Sequence, residues 1–166
     1  MIATLRAHRH AFNIAAALIC FAMFGYALYA QFQLGLEPCP LCIFQRVAIV
    51  CLGVAFALAA LVPDRFKVLG WIATVLIGLV AATGAAIAGR HVYIQSLPAD
   101  KVPACGSPLD YMFDVFPVME VVRKVLTGSG ECAKIDWTFL GVLSMPACVL
   151  ILILALGIAG ILVNRR

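Results

Sequence analysis

Residues 68–88, VLGWIATVLIGLVAATGAAIA, contain no Asp, Glu, Lys or Arg and show no alternation of polar and apolar positions. At 1.5 Å rise per residue, a helix of about 20 residues crosses a hydrocarbon core of roughly 30 Å. Residues 11–30, 43–62 and 139–163 are as long or nearly so and equally continuous, and the four stretches share a single charged residue, Arg46. Barrel strands alternate, and a lone strand in lipid leaves its backbone groups unpaired. The pattern therefore predicts an all-α polytopic membrane protein, a single domain over 1–166 built as a four-helix transmembrane bundle in a lipid bilayer.

The composition agrees. Of 166 residues, 64% are apolar and 12% charged, and the mean hydropathy is +1.07, whereas a soluble domain carries about 25% charge. Disorder and a soluble globular enzyme are excluded as first readings. The net charge of +4 is small and dispersed, which argues for no nucleic-acid partner and makes the basic residues topology signals. Arg6 and Arg9, Arg65 and Lys67, and Arg165 and Arg166 mark one side, whereas loop 31–42 holds Glu37 and no Lys or Arg. By the positive-inside rule both termini and the Pro63–Lys67 turn are cytoplasmic, and loops 31–42 and 89–138 face outward. The second loop carries basic and acidic residues together, but long loops cross with less regard to charge. A cleaved signal peptide has an apolar core of about 7 to 15 residues, so the longer first stretch is read as a retained helix.

The long loop is punctuated by Pro98, Pro103, Pro108, Gly128 and Gly130. Between them, Leu109–Leu126 gathers most of its charges on one half of a helical wheel, and Pro117 interrupts it. That predicts one or two short helices, lying on the outer membrane surface or packed on the rim of the bundle.

Seven cysteines divide by this topology. Cys20, Cys51 and Cys148 fall inside helices and read as small apolar side chains. Cys39, Cys42, Cys105 and Cys132 fall in the outward loops, two in each, where disulfides persist. Cys39-Pro40-Leu41-Cys42 is a Cys-x-x-Cys motif with three readings. A zinc or copper site needs further soft ligands, which Cys105 and Cys132 supply only singly. A static disulfide across so short a loop gains little from chain entropy. The third reading is a redox pair that cycles.

Position bears on the choice, because a helix N-terminus stabilises a thiolate by its orphan N–H groups and partial positive charge. Arg46, four residues after Cys42, shares its helix face. A charge within a span signals function unless it snorkels to the headgroups. Arg90 and His91 end the third helix on the same outer side, so Cys42, Arg46 and His91 are expected at one depth. Ala81, Ala85 and Gly89 would let a neighbouring helix approach there. Two cysteine pairs in outward loops make a relay for thiol–disulfide exchange, which moves two electrons per step. There is no haem, dinucleotide or flavin motif. By elimination the sink is a lipid-soluble quinone, with Arg46 stabilising developing negative charge and His91 donating a hydrogen bond or proton.

The run Cys39-Pro40-Leu41-Cys42-Ile43-Phe44-Gln45-Arg46, the Arg90–Gln95 segment, Cys105, and Gly128-Ser129-Gly130-Glu131-Cys132 followed by Trp137, Phe139, Leu140, Gly141, Met145 and Pro146 together resemble the DsbB family, disulfide bond formation proteins of the bacterial inner membrane. The resemblance covers essentially the whole chain. It implies an enzyme that reoxidises a DsbA-like periplasmic oxidase of thioredoxin fold and passes the electrons to ubiquinone or menaquinone. It further implies that Cys39 and Cys42 are the quinone-coupled pair, with Cys42 nearest the quinone. Cys105 and Cys132 are the loop pair, Cys105 being the sulfur that the partner attacks. Arg46 and His91 match quinone-site positions, Met145 lines that site, and no metal ligand is assigned. A tetraspan scaffold with two structural disulfides would have no need of Arg46, and a copper or zinc handling protein would carry a Met-rich or His-rich outer loop.

Overall fold

The computed structural model describes residues 8–63, 65–102, 109–135, 137–139 and 141–165. Its main elements are four long helices, α1 (Arg9–Gln33), α2 (Pro40–Leu61), α3 (Lys67–Gln95) and, after the long loop, α6 (Met145–Asn164). All four are long and apolar enough to cross a membrane. The loop contributes α4 (Leu109–Val115) and α5 (Val118–Thr127), two single-turn 3-10 segments at Ala99–Lys101 and Gly130–Ala133, and a two-residue antiparallel pairing of β1 (Thr138–Phe139) with β2 (Leu143–Ser144). The chain is thus an all-α bundle. Pro117 stands between α4 and α5 and caps the second of them, as its missing N–H and fixed φ require.

Helix boundaries move where local chemistry overrides hydropathy. The second helix begins at Pro40, three residues before the expected start at 43, because Pro suits the first helical position. Cys39 is therefore its N-cap and Cys42 lies within its first turn. The third runs on to Gln95 rather than ending near 88, so Arg90 and His91 sit inside the helix. The fourth begins at Met145 rather than 139, since 138–144 is taken up by the β1–β2 pairing with Gly141 at a φ of 72°.

The helices pack in the order α1, α2, α3, α6, with α1 on α2, α2 on α3 and α3 on α6. The core is rich in small residues, Ala16, Ala17, Ala55, Ala59, Ala73 and Ala81 interleaved with Leu52, Phe56, Ile77 and Ile153. Close backbone approach is what drives helix association in lipid, where burial of apolar area supplies no force. Along the α3–α6 seam Ala81 faces Gly157, where an added Cβ would lie 2.5 Å from the Ala81 Cβ. Of the small residues expected to serve such a contact, Gly89 has no atom of the described residues within 4 Å of an added Cβ.

The two ends differ. At one, Arg9 donates to the Val62 carbonyl, His10 Nδ1 lies 2.7 Å from the Ala60 carbonyl, and Asn13 and Asn164 exchange two amide hydrogen bonds of 2.9 Å. At the other, a second core of Leu41, Ile94, Met112, Val121, Val125 and Cys132 seats the loop helices on the ends of α2 and α3. α5 is thus packed on the rim of the bundle through Val121 and Val125. Gly128, at a φ of 85°, then turns the chain inward, and an added Cβ there would lie 2.2 Å from the Ile94 Cδ1. Only glycine combines that conformation with that proximity. The turn delivers Gly130–Ala133, and with it Cys132, onto α3.

Candidate functional site

At the end of the bundle carrying the loop helices, the first turn of α2 presents Cys39 and Cys42 with their sulfurs 3.4 Å apart as free thiols. Cys39 also faces α3, where the His91 Nε2 stands 3.8 Å from its Sγ. His91 is buried, at 2% exposure, and both its ring nitrogens are engaged. Nδ1 lies 3.0 Å from the Gln45 amide nitrogen, and Nε2 lies 3.1 Å from the Cys132 carbonyl oxygen. With Gln45 donating to Nδ1, the proton sits on Nε2 and points toward Cys132 and Cys39. Gln45 is itself buried in α2, so a side-chain amide in a span has its polarity satisfied by this contact.

Cys132 completes the cluster from the loop. It is buried, at 1% exposure, and its Sγ lies 3.6 Å from the Ser129 hydroxyl. The Cys39 and Cys132 sulfurs and a nitrogen of His91 all lie within 4.8 Å of one another. The adjacent Cys39 sulfur and then burial push the Cys132 thiol well above its ordinary range, outweighing the opposing contacts with Ser129. Cys132 accordingly holds its proton at neutral pH.

Arg46, one turn below Cys42, reaches across to α1. It donates to the Gln31 side-chain oxygen and to the Ala27 carbonyl at 3.1 Å. Among the described residues two partners account for two of its five N–H groups, leaving others for a ligand. The guanidinium is thus held within the bundle by α1, which separates it from a charge merely extended to the headgroups.

These residues border one cavity of about 450 Å³. Cys39, Cys42, Arg46, His91 and Met145 all line it, from α2, α3 and the first residue of α6, and Trp137 stands at its side from the loop. The remaining wall is mainly apolar, from Ile19, Met23, Tyr26 and Ile49 among others. Most of the expected site residues are therefore together. Cys105 lies outside the described residues. Gln45 and Gln31 are additions; each is an amide next to or inside an apolar stretch, a signal as legible in sequence as Arg46. The meeting of Cys132 with Cys39 had no such signal, since it depends on the Gly128 turn. Of the remaining thiols, Cys20 is buried beneath Gly53, Cys148 is half-buried, and Cys51 is exposed on the outer face of α2.

Comparison with known proteins bears on this geometry. Residues 9–163 match the family described as Disulfide bond formation protein DsbB. Three relatives carry the name Disulfide bond formation protein B. That of Methylococcus capsulatus is 49% identical over 146 residues, covering 87% of each chain. That of Xylella fastidiosa is 44% identical over 149 residues, covering 90% of this chain and 86% of its own. That of Hahella chejuensis is 46% identical over 143 residues, covering 80% and 82%.

Proposed function

This chain belongs to the DsbB family of disulfide bond formation proteins, and on that footing we propose that it is a thiol:quinone oxidoreductase of the bacterial inner membrane. It reoxidises a DsbA-like dithiol oxidase of thioredoxin fold and delivers the electrons to membrane ubiquinone or menaquinone. Its termini are cytoplasmic and its four loop cysteines periplasmic. Membership makes it a disulfide-forming oxidoreductase; the acceptor, the partner and the orientation are our reading.

The observation that carries the reading is the position of Cys39, which touches Cys42 at 3.4 Å on one side and has Cys132 within 4.8 Å on the other. One sulfur thereby serves two exchange partners. The partner's thiolate attacks Cys105 of a Cys105–Cys132 disulfide, Cys132 leaves, and the partner's second thiol resolves the mixed disulfide. Cys105 and Cys132 are then thiols. Cys132, on losing its proton, attacks Cys39 of a Cys39–Cys42 disulfide; a Cys39–Cys132 bond forms and Cys42 is released as a thiolate lining the cavity. Closure of Cys105 onto Cys132 expels Cys39. Each cycle carries two electrons and two protons from the partner to the Cys39/Cys42 pair, each step being an attack of thiolate on disulfide.

The cavity fits a quinone head group in its donor set: an apolar wall and a fixed guanidinium at Arg46, with the His91 ring beside Cys39. A quinone bound there supplies a two-electron, two-proton acceptor. Arg46 sets positive charge where negative charge develops, and because Gln31 and Ala27 hold it in place, it needs little reorganisation as the reaction proceeds. His91, with Nδ1 tied to Gln45 and Nε2–H donated to the Cys132 carbonyl, is held beside Cys39 at the cavity wall, and reaches a ligand as a donor only by giving up the Cys132 contact. His91 is buried against the Gly130–Ala133 segment, which strengthens its polar contacts.

The test is direct. Reduced DsbA-like oxidase, added to the purified chain with a short-tailed ubiquinone, should bleach the quinone absorbance with one quinone lost per partner disulfide formed. An unchanged quinone spectrum would reject a quinone as the electron acceptor.

A further inference from the structure

We propose that the reduced enzyme binds one thiophilic divalent cation of the zinc and cadmium class through the Cys39 Sγ, the His91 Nε2 and the Cys132 Sγ. This site is mutually exclusive with disulfide bonding at either sulfur. It draws its ligands from α2, α3 and the Gly130–Ala133 segment, unlike a set of four loop cysteines.

The donors are already placed. A tetrahedral zinc with Zn–S of about 2.3 Å and Zn–N of about 2.0 to 2.1 Å sets its ligand atoms about 3.6 to 3.8 Å apart. The Cys39 Sγ and the His91 Nε2 stand 3.8 Å apart, and all three donor atoms lie within 4.8 Å of one another. Rotamer adjustments of about 1 Å close the set. The chemistry suits the surroundings as well. Binding releases two thiol protons, and two thiolates with one neutral imidazole give an uncharged complex, the form that a buried site at the membrane boundary tolerates. Gln45 lies 3.0 Å from the other ring nitrogen. Turning its amide end for end lets the Gln45 oxygen accept from Nδ1–H, the outer contact that zinc-bound histidines ordinarily make, while Nε2 exchanges its proton and its contact with the Cys132 carbonyl for the metal. Arg46 is tied to α1 by its contacts with Gln31 and Ala27 and is not among the ligands.

The consequence is an inhibitory state specific to one redox form. A cation seated on Cys39 and Cys132 withholds both sulfurs from exchange and holds the loop against α3. The oxidised enzyme, whose sulfurs are bonded to one another, lacks the ligands.

The experiment uses full-length, reduced, quinone-free protein in detergent with Cys20, Cys51, Cys105 and Cys148 replaced by Ala. Titration with Cd²⁺ is read by thiolate-to-cadmium absorbance, and Zn²⁺ affinity by competition with a chromophoric chelator. One ion should bind per chain. Cys39→Ser, Cys132→Ser and His91→Leu should each weaken binding by more than about a hundredfold, and Gln45→Leu by about ten- to a hundredfold. Oxidation of the protein should abolish binding. X-ray absorption of the zinc complex of this quadruple-Ala chain needs no change at the three ligands, and it should count two sulfurs and one imidazole nitrogen, with a water oxygen in the fourth position. Absence of binding, an all-sulfur shell, or affinity lost in Cys42→Ser but kept in Cys132→Ser would overturn the proposal. Neither quinone nor partner enters this titration, so its failure leaves the proposed electron transfer standing, and failure of the quinone assay leaves the metal site standing.

Discussion

Arg46 of α2 donates through Nη2 to the carbonyl oxygen of Ala27 in α1 at 3.1 Å. That bond, with the second one to Gln31, anchors to a neighbouring helix the single charge found in the four apolar stretches of the sequence. A charge so placed is costly unless it is used. Arg46→Met should leave exchange between partner and loop cysteines intact while impairing quinone reduction by about ten- to a hundredfold, the effect of losing roughly 1.5 to 3 kcal/mol of charge-assisted hydrogen bonding. Lys should rescue in part only, as a point charge without the planar fork. Gln31→Leu should raise the quinone KM with the thiol steps unchanged. Quinone kinetics of the three variants decide this, and wild-type values in Arg46→Met would reduce the residue to an anchor.

The Gly128 turn determines whether Cys132 reaches Cys39. Gly128→Ala forces a left-handed residue, at about 1 kcal/mol or more, and drives a methyl against the Ile94 Cδ1. Cys132 should then be alkylated at least about tenfold faster and turnover with the partner should fall. Removing the obstructing methyl with Ile94→Val should restore part of both. Alkylation followed by peptide mapping reads the outcome.

The pH dependence of Cys132 follows from its contact with Cys39. The neighbouring sulfur and burial raise the thiol above its ordinary range, so the thiolate fraction, and with it the alkylation rate, should still be climbing at a pH where an ordinary thiol of pKa about 8.5 has levelled. Cys39→Ser removes the larger cause and should move the Cys132 curve to lower pH. A curve that does not move would detach the two residues.

Much of the fold was legible in the sequence because the bilayer imposes it. Four uninterrupted apolar stretches leave a chain few alternatives to four helices, and Pro117 divided the loop helices as its ring demands. The end positions were less legible. Hydropathy does not see that Pro40 starts a helix, that α3 continues past Arg90 to bury His91 and Ile94, or that Gly141 and a short strand pairing delay α6 to Met145. In the site, Cys39, Cys42, Arg46 and His91 announced themselves as reactive or charged residues in apolar context. Gln45 and Gln31 carried the same signal more quietly. The approach of Cys132 to Cys39 is a long-range contact set by a positive φ at Gly128, and no spacing rule contains it.

Asn13 and Asn164, far from these cysteines, offer a contrast. Each amide bonds the other, so Asn13→Ala leaves the buried Asn164 side-chain oxygen without its donor, while its Nδ2 keeps the Gly160 carbonyl. Stability in detergent should drop by about 0.5 to 2 kcal/mol while the quinone KM stays at its wild-type value. A changed KM would mean that the two ends are coupled.

The relay through Cys39 is tested most directly by single-turnover mixing. Oxidised, quinone-loaded enzyme is mixed with one equivalent of reduced DsbA-like oxidase, quenched in acid at intervals, alkylated and mapped by mass spectrometry. The expected result is a Cys39–Cys132 linked peptide that rises and decays before or together with the loss of quinone absorbance, and that is missing, along with quinone reduction, in Cys132→Ser. Quinone reduction at the wild-type rate in Cys132→Ser, with no Cys39–Cys132 peptide at any time in the wild type, would contradict it.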